Sequence, residues 1–200
     1  MESVSNILFA LSSGLLFPVI VVLLALFLYA LVHCVTSFVD YNRFVAGRKA
    51  AQPLLDGMNT ANMKQSVAEL EKSPVAFFAS AVKLLAANED CPAARHRYLA
   101  NMEVSVDKHL SRSRLLVKLG PMTGLMGTLI PMGPALTGLA SGNIASMAYN
   151  MEVAFATTVL GILIAAIGLV TLQCAKRMYA RMLNDLEFIN ELMESDDTTK

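Results

Sequence analysis

Apolar residues run almost without a break from Leu15 to Val35 and again from Leu119 to Ala175. The first run is about 20 residues long, which is what a helix needs to cross a hydrocarbon core of roughly 30 Å. The second is too long for one crossing. Thr137, Gly138, Ser141, Gly142 and Asn143 interrupt it with a small polar turn. The pattern therefore predicts three spans: Leu15 to about Val35, about 118–138 and about 148–174. The first is expected to be a retained helix, because residues 1–14 contain no basic stretch of the kind that opens a signal peptide.

Between the first two spans the pattern becomes that of amphipathic helices. Residues 60–72, from Thr60 to Lys72, open on polar side chains and carry an amphipathic body. Ser73-Pro74 supplies an N-cap and a proline for the first helical position, predicting a helix over 74–88 buried through Val75, Phe78, Val82 and Leu85. Asp90-Cys91-Pro92 resets the chain. The next helix runs through Tyr98, Met102, Val106 and Leu110 straight into the second span. Beyond the third span, Met178, Met182, Leu186, Ile189 and Met193 recur at spacings of three and four among charged residues. That stripe needs a cover, either the helix of 92–118 or a neighbouring subunit. The tail from Ser195 to Lys200 is expected to be disordered.

Charge gives these elements an orientation. All 16 Lys and Arg residues lie in 43–118 and 176–200. By the positive-inside rule both blocks are cytoplasmic, whereas the N-terminus and the turn of 138–150 are outside. An odd number of spans is required, and three satisfies it. The expected fold class is an all-α integral membrane protein with three transmembrane helices, long helices extending into the cytoplasm, the N-terminus outside and the C-terminus inside. Residues 1–42 hold the outer N-terminus and first span, and 43–117 a cytoplasmic helical region. Residues 118–175 hold the second and third spans, and 176–200 a cytoplasmic extension and tail.

Composition narrows the chemistry. A 55% hydrophobic content and a formal net charge of zero give no footprint for nucleic acid. Cys34, Cys91 and Cys174 show no paired spacing, and His33, His96 and His109 are scattered, so neither a disulfide framework nor a metal site is expected. No nucleophile–base pair, phosphate loop or inverted repeat suggests an enzyme or a secondary transporter, and no cofactor is implied.

What stands out is Glu152, the one charged side chain in 119–175. A carboxylate in such a run either acts there or sits at a helix end among the headgroups. Gly120, Gly124 and Thr128 recur at every fourth position, with Gly127 beside them. Thr157, Gly161, Ala165 and Gly168 make a matching stripe in the third span. Small residues at this spacing let helix backbones approach closely. Pro131 and Pro134 should kink or widen the outer half of the second span. Glu152 precedes Thr157 by five residues, about 7.5 Å along the axis. Either threonine could instead spend its hydroxyl on a carbonyl of its own helix.

Two strings here, Gly124-Leu125-Met126-Gly127-Thr128 and Glu152 followed by Thr157 and Gly161, resemble the span-two and span-three patterns of the MotA/TolQ/ExbB proton-channel family. Three spans make the chain similar to the TolQ/ExbB branch. It departs from the pattern at Gly168, where the family often has proline, and at Pro131 and Pro134, so the subfamily stays open.

The resemblance implies a homopentamer whose second and third spans line a pore in the inner membrane. It also implies a partner of the ExbD/TolR type, with one span carrying an essential Asp. Thr128 and Thr157 would then face that Asp, Glu152 would sit at the outer vestibule, and Gly120, Gly124, Gly127, Gly161 and Ala165 would pack the pore helices. The chain would be an ion-channel subunit, for protons or sodium, of a motor driven by the ion motive force. The rival reading is a non-conducting membrane scaffold.

Overall fold

The computed structural model describes residues 14–59, 62–70, 72, 76–88 and 91–199. Among them every regular element is a helix: α1 (Leu16–Asp56), α2 (Met63–Leu70), α3 (Ala76–Ala87), α4 (Pro92–Ala140) and α5 (Ile144–Thr199). The expected cap at Ser73-Pro74, together with Thr60, Val75 and Asp90, lies outside the described residues. Three of the helices, α1, α4 and α5, are long and apolar enough to cross a membrane. α4 stays helical through Pro121, Pro131 and Pro134. α5 continues to Thr199, through the residues from Ser195 on that the polar composition predicts to be disordered. Extending an established helix adds a hydrogen bond for each residue fixed, so a polar tail can follow a packed stripe at little cost.

The described residues divide into two compact units, one from 14–35 with 112–172 and one from within 36–111 with 173–199. In the first unit, Leu23 and Ala30 of α1 are buried with Leu116 of α4 and Ile164 of α5, backed by Leu26, Phe27, Leu160 and Ile167. The opposite faces are apolar and exposed: Leu28 and Val32 on α1, Leu125 and Leu129 on α4, Phe155 and Val159 on α5. Apolar patches of that extent are untenable in water and are what lipid covers. This is a multi-pass membrane protein.

The turn between α4 and α5 is tighter than the sequence pattern suggests: only Ser141, Gly142 and Asn143 are non-helical. Gly142 takes a φ of 74°, the left-handed conformation that glycine enters without penalty. Asn143 N–H then donates to Gly138 O at 2.8 Å and Gly142 N–H to Leu139 O at 3.0 Å, the pair of bonds that closes a helix on a left-handed residue. Asn143 also starts α5, its Oδ1 accepting from Ser146 N–H at 3.0 Å. One residue serves both helix ends, so a three-residue link suffices.

In the second unit the Met182–Met193 stripe finds its cover within the same chain. Met182, Leu186, Ile189 and Met193 are buried with Met102 of α4, Phe44, Ala51 and Leu55 of α1, and the inward faces of α2 and α3. The continuation of α1 to Asp56 is what brings in Phe44 and Leu55. Inside this core Arg95 is 0% exposed, and its Nε donates to Asn190 Oδ1 at 3.0 Å. A buried guanidinium is tolerated only while its donors are satisfied. Asn190→Leu is therefore expected to destabilise the protein by about 1–3 kcal/mol, read as a lowered unfolding midpoint; an unchanged midpoint would count against the bond.

Burial pushes the half-buried Asp185 carboxyl above the usual carboxylate range, with Asp56 adding to the rise against the pull of Arg48 and Arg181. A carboxyl whose folded pKa is raised costs stability once it ionises. That cost is absent below the ordinary value of 3.8 and complete above the raised value. Asp185→Asn should therefore melt higher than wild type at neutral pH and lose the advantage on acidification. An equal gain at every pH contradicts this.

Candidate functional site: a glycine-lined helix pair

α4 and α5 of the spanning unit pack as an antiparallel pair through the two small-residue stripes. A methyl group placed on Gly120 would lie 2.7 Å from the Gly161 carbonyl oxygen, and one on Gly161 would lie 2.9 Å from the Gly124 Cα. These are backbone atoms that cannot step aside, so the helices meet main chain to main chain. Ala165 joins the seam, its amide nitrogen 3.0 Å from a methyl placed on Gly120. At the other end of the stripes, Gly168 faces the Cβ of Leu116 at 2.8 Å by the same measure.

The threonine of the third span occupies the notch left by a missing side chain. A Cβ on Gly127 would come within 2.6 Å of Thr157 Cβ and 2.7 Å of its Oγ1. Thr157 is 4% exposed, and its hydroxyl donates to Ala154 O at 2.9 Å. Its oxygen retains lone pairs for a further donor. Thr128, next along α4, is half-buried and donates to Leu125 O at 2.7 Å. Glu152 is exposed, one and a half turns before Thr157. Of the residues singled out by sequence, the fold thus brings Gly120, Gly124, Gly127, Thr157, Gly161 and Ala165 into one seam. Thr128 stands at its edge and Glu152 on the open surface.

Residues 69–188 match the MotA/TolQ/ExbB proton channel family. That is well over half of the 200-residue chain, and it contains the whole seam. The chain belongs to the MotA/TolQ/ExbB family. No curated protein and no solved structure matches it. Family membership gives the seam a context: it lies inside the matched region, with the chain's single mid-run carboxylate on one of its helices.

Two polar groupings escaped the sequence pattern. Arg95 and Asn190 are 95 positions apart, and nothing in either's neighbourhood signals the other. His33 and Ser113 are bonded across 80 positions. Their signal, a histidine inside an apolar run, was present at His33, but its partner hydroxyl sits among charged residues.

Proposed function

We propose that the chain is the ion-conducting subunit of a membrane motor, one that spends the ion motive force on a partner with a single transmembrane helix. The observation that carries the reading is the seam of a proton-channel family member in which Thr157 is held against Gly127. Close packing of α4 on α5 leaves their outward faces free to line a shared path. No carboxylate lies deep in a span, as expected of a subunit whose partner supplies the titrating acid. In this reading five copies form a ring in the inner membrane. Two partner spans of the ExbD/TolR type, each with an Asp, occupy the centre. Thr128 and Thr157 hand hydroxyl contacts to the ion, and Glu152 gathers cations at the outer mouth. The basic segments 43–117 and 176–200 lie in the cytoplasm, and the α4–α5 turn lies outside. Protons are the favoured ion, and each charge crossing 100 mV would release about 2.3 kcal/mol.

One observation favours the scaffold reading: both threonine hydroxyls donate to their own helix backbone. The two readings part on flux. Vesicles holding this chain and its single-span partner are expected to pass protons or sodium under an imposed gradient, and vesicles with either protein alone are not. A complete complex that passes neither ion supports the scaffold. Cysteine accessibility should place Ser141 outside and Lys64 and Lys200 inside; Ser141 on the cytoplasmic side overturns the three-span arrangement.

A further inference from the structure

A second set of polar side chains converges in the spanning unit, well away from Thr157. His33 Nε2 lies 2.8 Å from Ser113 Oγ, and Thr171 Oγ1 lies 3.5 Å from the same oxygen. One residue comes from each of α1, α4 and α5. Ser113 and Thr171 are buried and His33 is half-buried. Tyr29 stacks on the imidazole, with ring centroids 6.0 Å apart and planes 1° from parallel. Polar groups inside membrane helices are costly unless they satisfy one another, and an ionisable one usually marks a function.

We propose that His33, Ser113 and Thr171 form a proton-binding site that ties α1 to the α4–α5 pair. The argument follows the hydroxyl hydrogens. The single Thr171 hydrogen has three acceptors in reach, Ile167 O at 2.9 Å, Gly168 O at 3.0 Å and Ser113 Oγ at 3.5 Å; the two nearer carbonyls hold it, so toward Ser113 the Thr171 oxygen accepts. Ser113 has one hydrogen and two neighbours. With the imidazole neutral and protonated at Nδ1, the Ser113 hydroxyl donates to His33 Nε2. When a proton adds to Nε2, that N–H donates to Ser113 Oγ, and the serine hydrogen turns to Thr171 Oγ1. One proton is taken up and no covalent bond breaks. The hydrogen bonds then run in one direction from α1 through α4 to α5.

The charged group coupled to the imidazole is the Arg112 guanidinium on α4. On α5 no charged side chain lies between Glu152 and Lys176, and Cys174 is the titratable group nearest Thr171 in sequence; on α1 Tyr29 and Cys34 flank His33. An imidazole titrates where cytoplasmic pH varies. Under the orientation proposed above, the site lies at the inner end of the spans and reads the acidity of the compartment that incoming protons enter.

The test is a titration of the His33 ring by ¹⁵N NMR in lipid nanodiscs. A His96→Gln, His109→Gln background leaves a single imidazole, so assignment does not depend on disrupting the site. The His33 signal is expected to pass from its neutral to its protonated form as the pH is lowered. Ser113→Ala should lower its midpoint by about half a pH unit, because the charged ring loses the stronger, charge-assisted bond. Thr171→Val should lower it in the same direction. A ring that keeps one protonation state throughout, or a midpoint that neither variant moves, overturns the proposal. No ion flux enters this measurement, so its failure would leave the conduction reading standing, and a non-conducting complex would leave the titration standing.

Discussion

Gly161→Leu is expected to remove the assembled protein almost entirely, so that detergent extracts yield little or no oligomer where the wild-type chain is expected to give the proposed species of five copies. The reason is geometric. Even a single methyl at Gly161 would sit 2.7 Å from the Gly120 carbonyl oxygen and 2.9 Å from the Gly124 Cα, and both belong to the facing helix. A leucine cannot turn out of the seam, because its Cβ is already inside it. Overpacking a tight contact typically costs about 1–3 kcal/mol, and main-chain neighbours that cannot rotate away put this site at or above the upper end. Gly161→Ala should therefore be intermediate, with a lowered unfolding midpoint but recoverable oligomer. Gly142→Ala makes a useful contrast: it has no atom within 4 Å, so its effect is confined to the strain of its positive φ and should leave the oligomer intact. Native mass spectrometry with thermal unfolding measures both quantities. A Gly161→Leu protein as stable and as oligomeric as wild type contradicts the close approach of α4 and α5.

Much of this architecture is written in local pattern. The two uncharged runs and the Ser141–Asn143 punctuation are enough for three helices and a hairpin, because burial of backbone in lipid leaves helices few alternatives. The stripes at Gly120, Gly124, Gly161 and Ala165 specify their own pairing: residues without side chains mark where backbones can touch. The Met182–Met193 stripe demands a cover, but its periodicity is equally consistent with a neighbouring subunit. The fold chooses the helix of Met102 over a neighbouring subunit and adds Phe44 and Leu55, whose place depends on α1 continuing far past its apolar run. The contacts least visible beforehand are polar and long-range. Arg95–Asn190 and His33–Ser113 depend on register between helices far apart in sequence, and no periodicity encodes that. The Gly127–Thr157 notch was half legible. Both residues belong to recognisable strings, yet which threonine fills the seam and which stands at its edge follows from helix rotation, set by the packing.

That distinction makes Thr157→Val the sharpest probe of the ion path. Valine matches threonine in shape, so it fills the notch at Gly127 without a clash. The bond it deletes, from Oγ1 to Ala154 O, lies within one helix and leaves the carbonyl its i+4 partner. Stability and assembly should therefore survive. What disappears is the buried hydroxyl held in the Gly127 notch, whose oxygen has lone pairs to spare. The decisive measurement is proton or sodium flux into vesicles containing this chain and its single-span partner, under an imposed gradient, for wild type, Thr157→Val and Thr157→Ser. An ion path that uses the Thr157 hydroxyl predicts that Val abolishes flux in a normally assembled complex while Ser keeps part of it. Wild-type flux in the Thr157→Val complex would contradict it, and would leave Thr157 as a packing residue that happens to carry a hydroxyl.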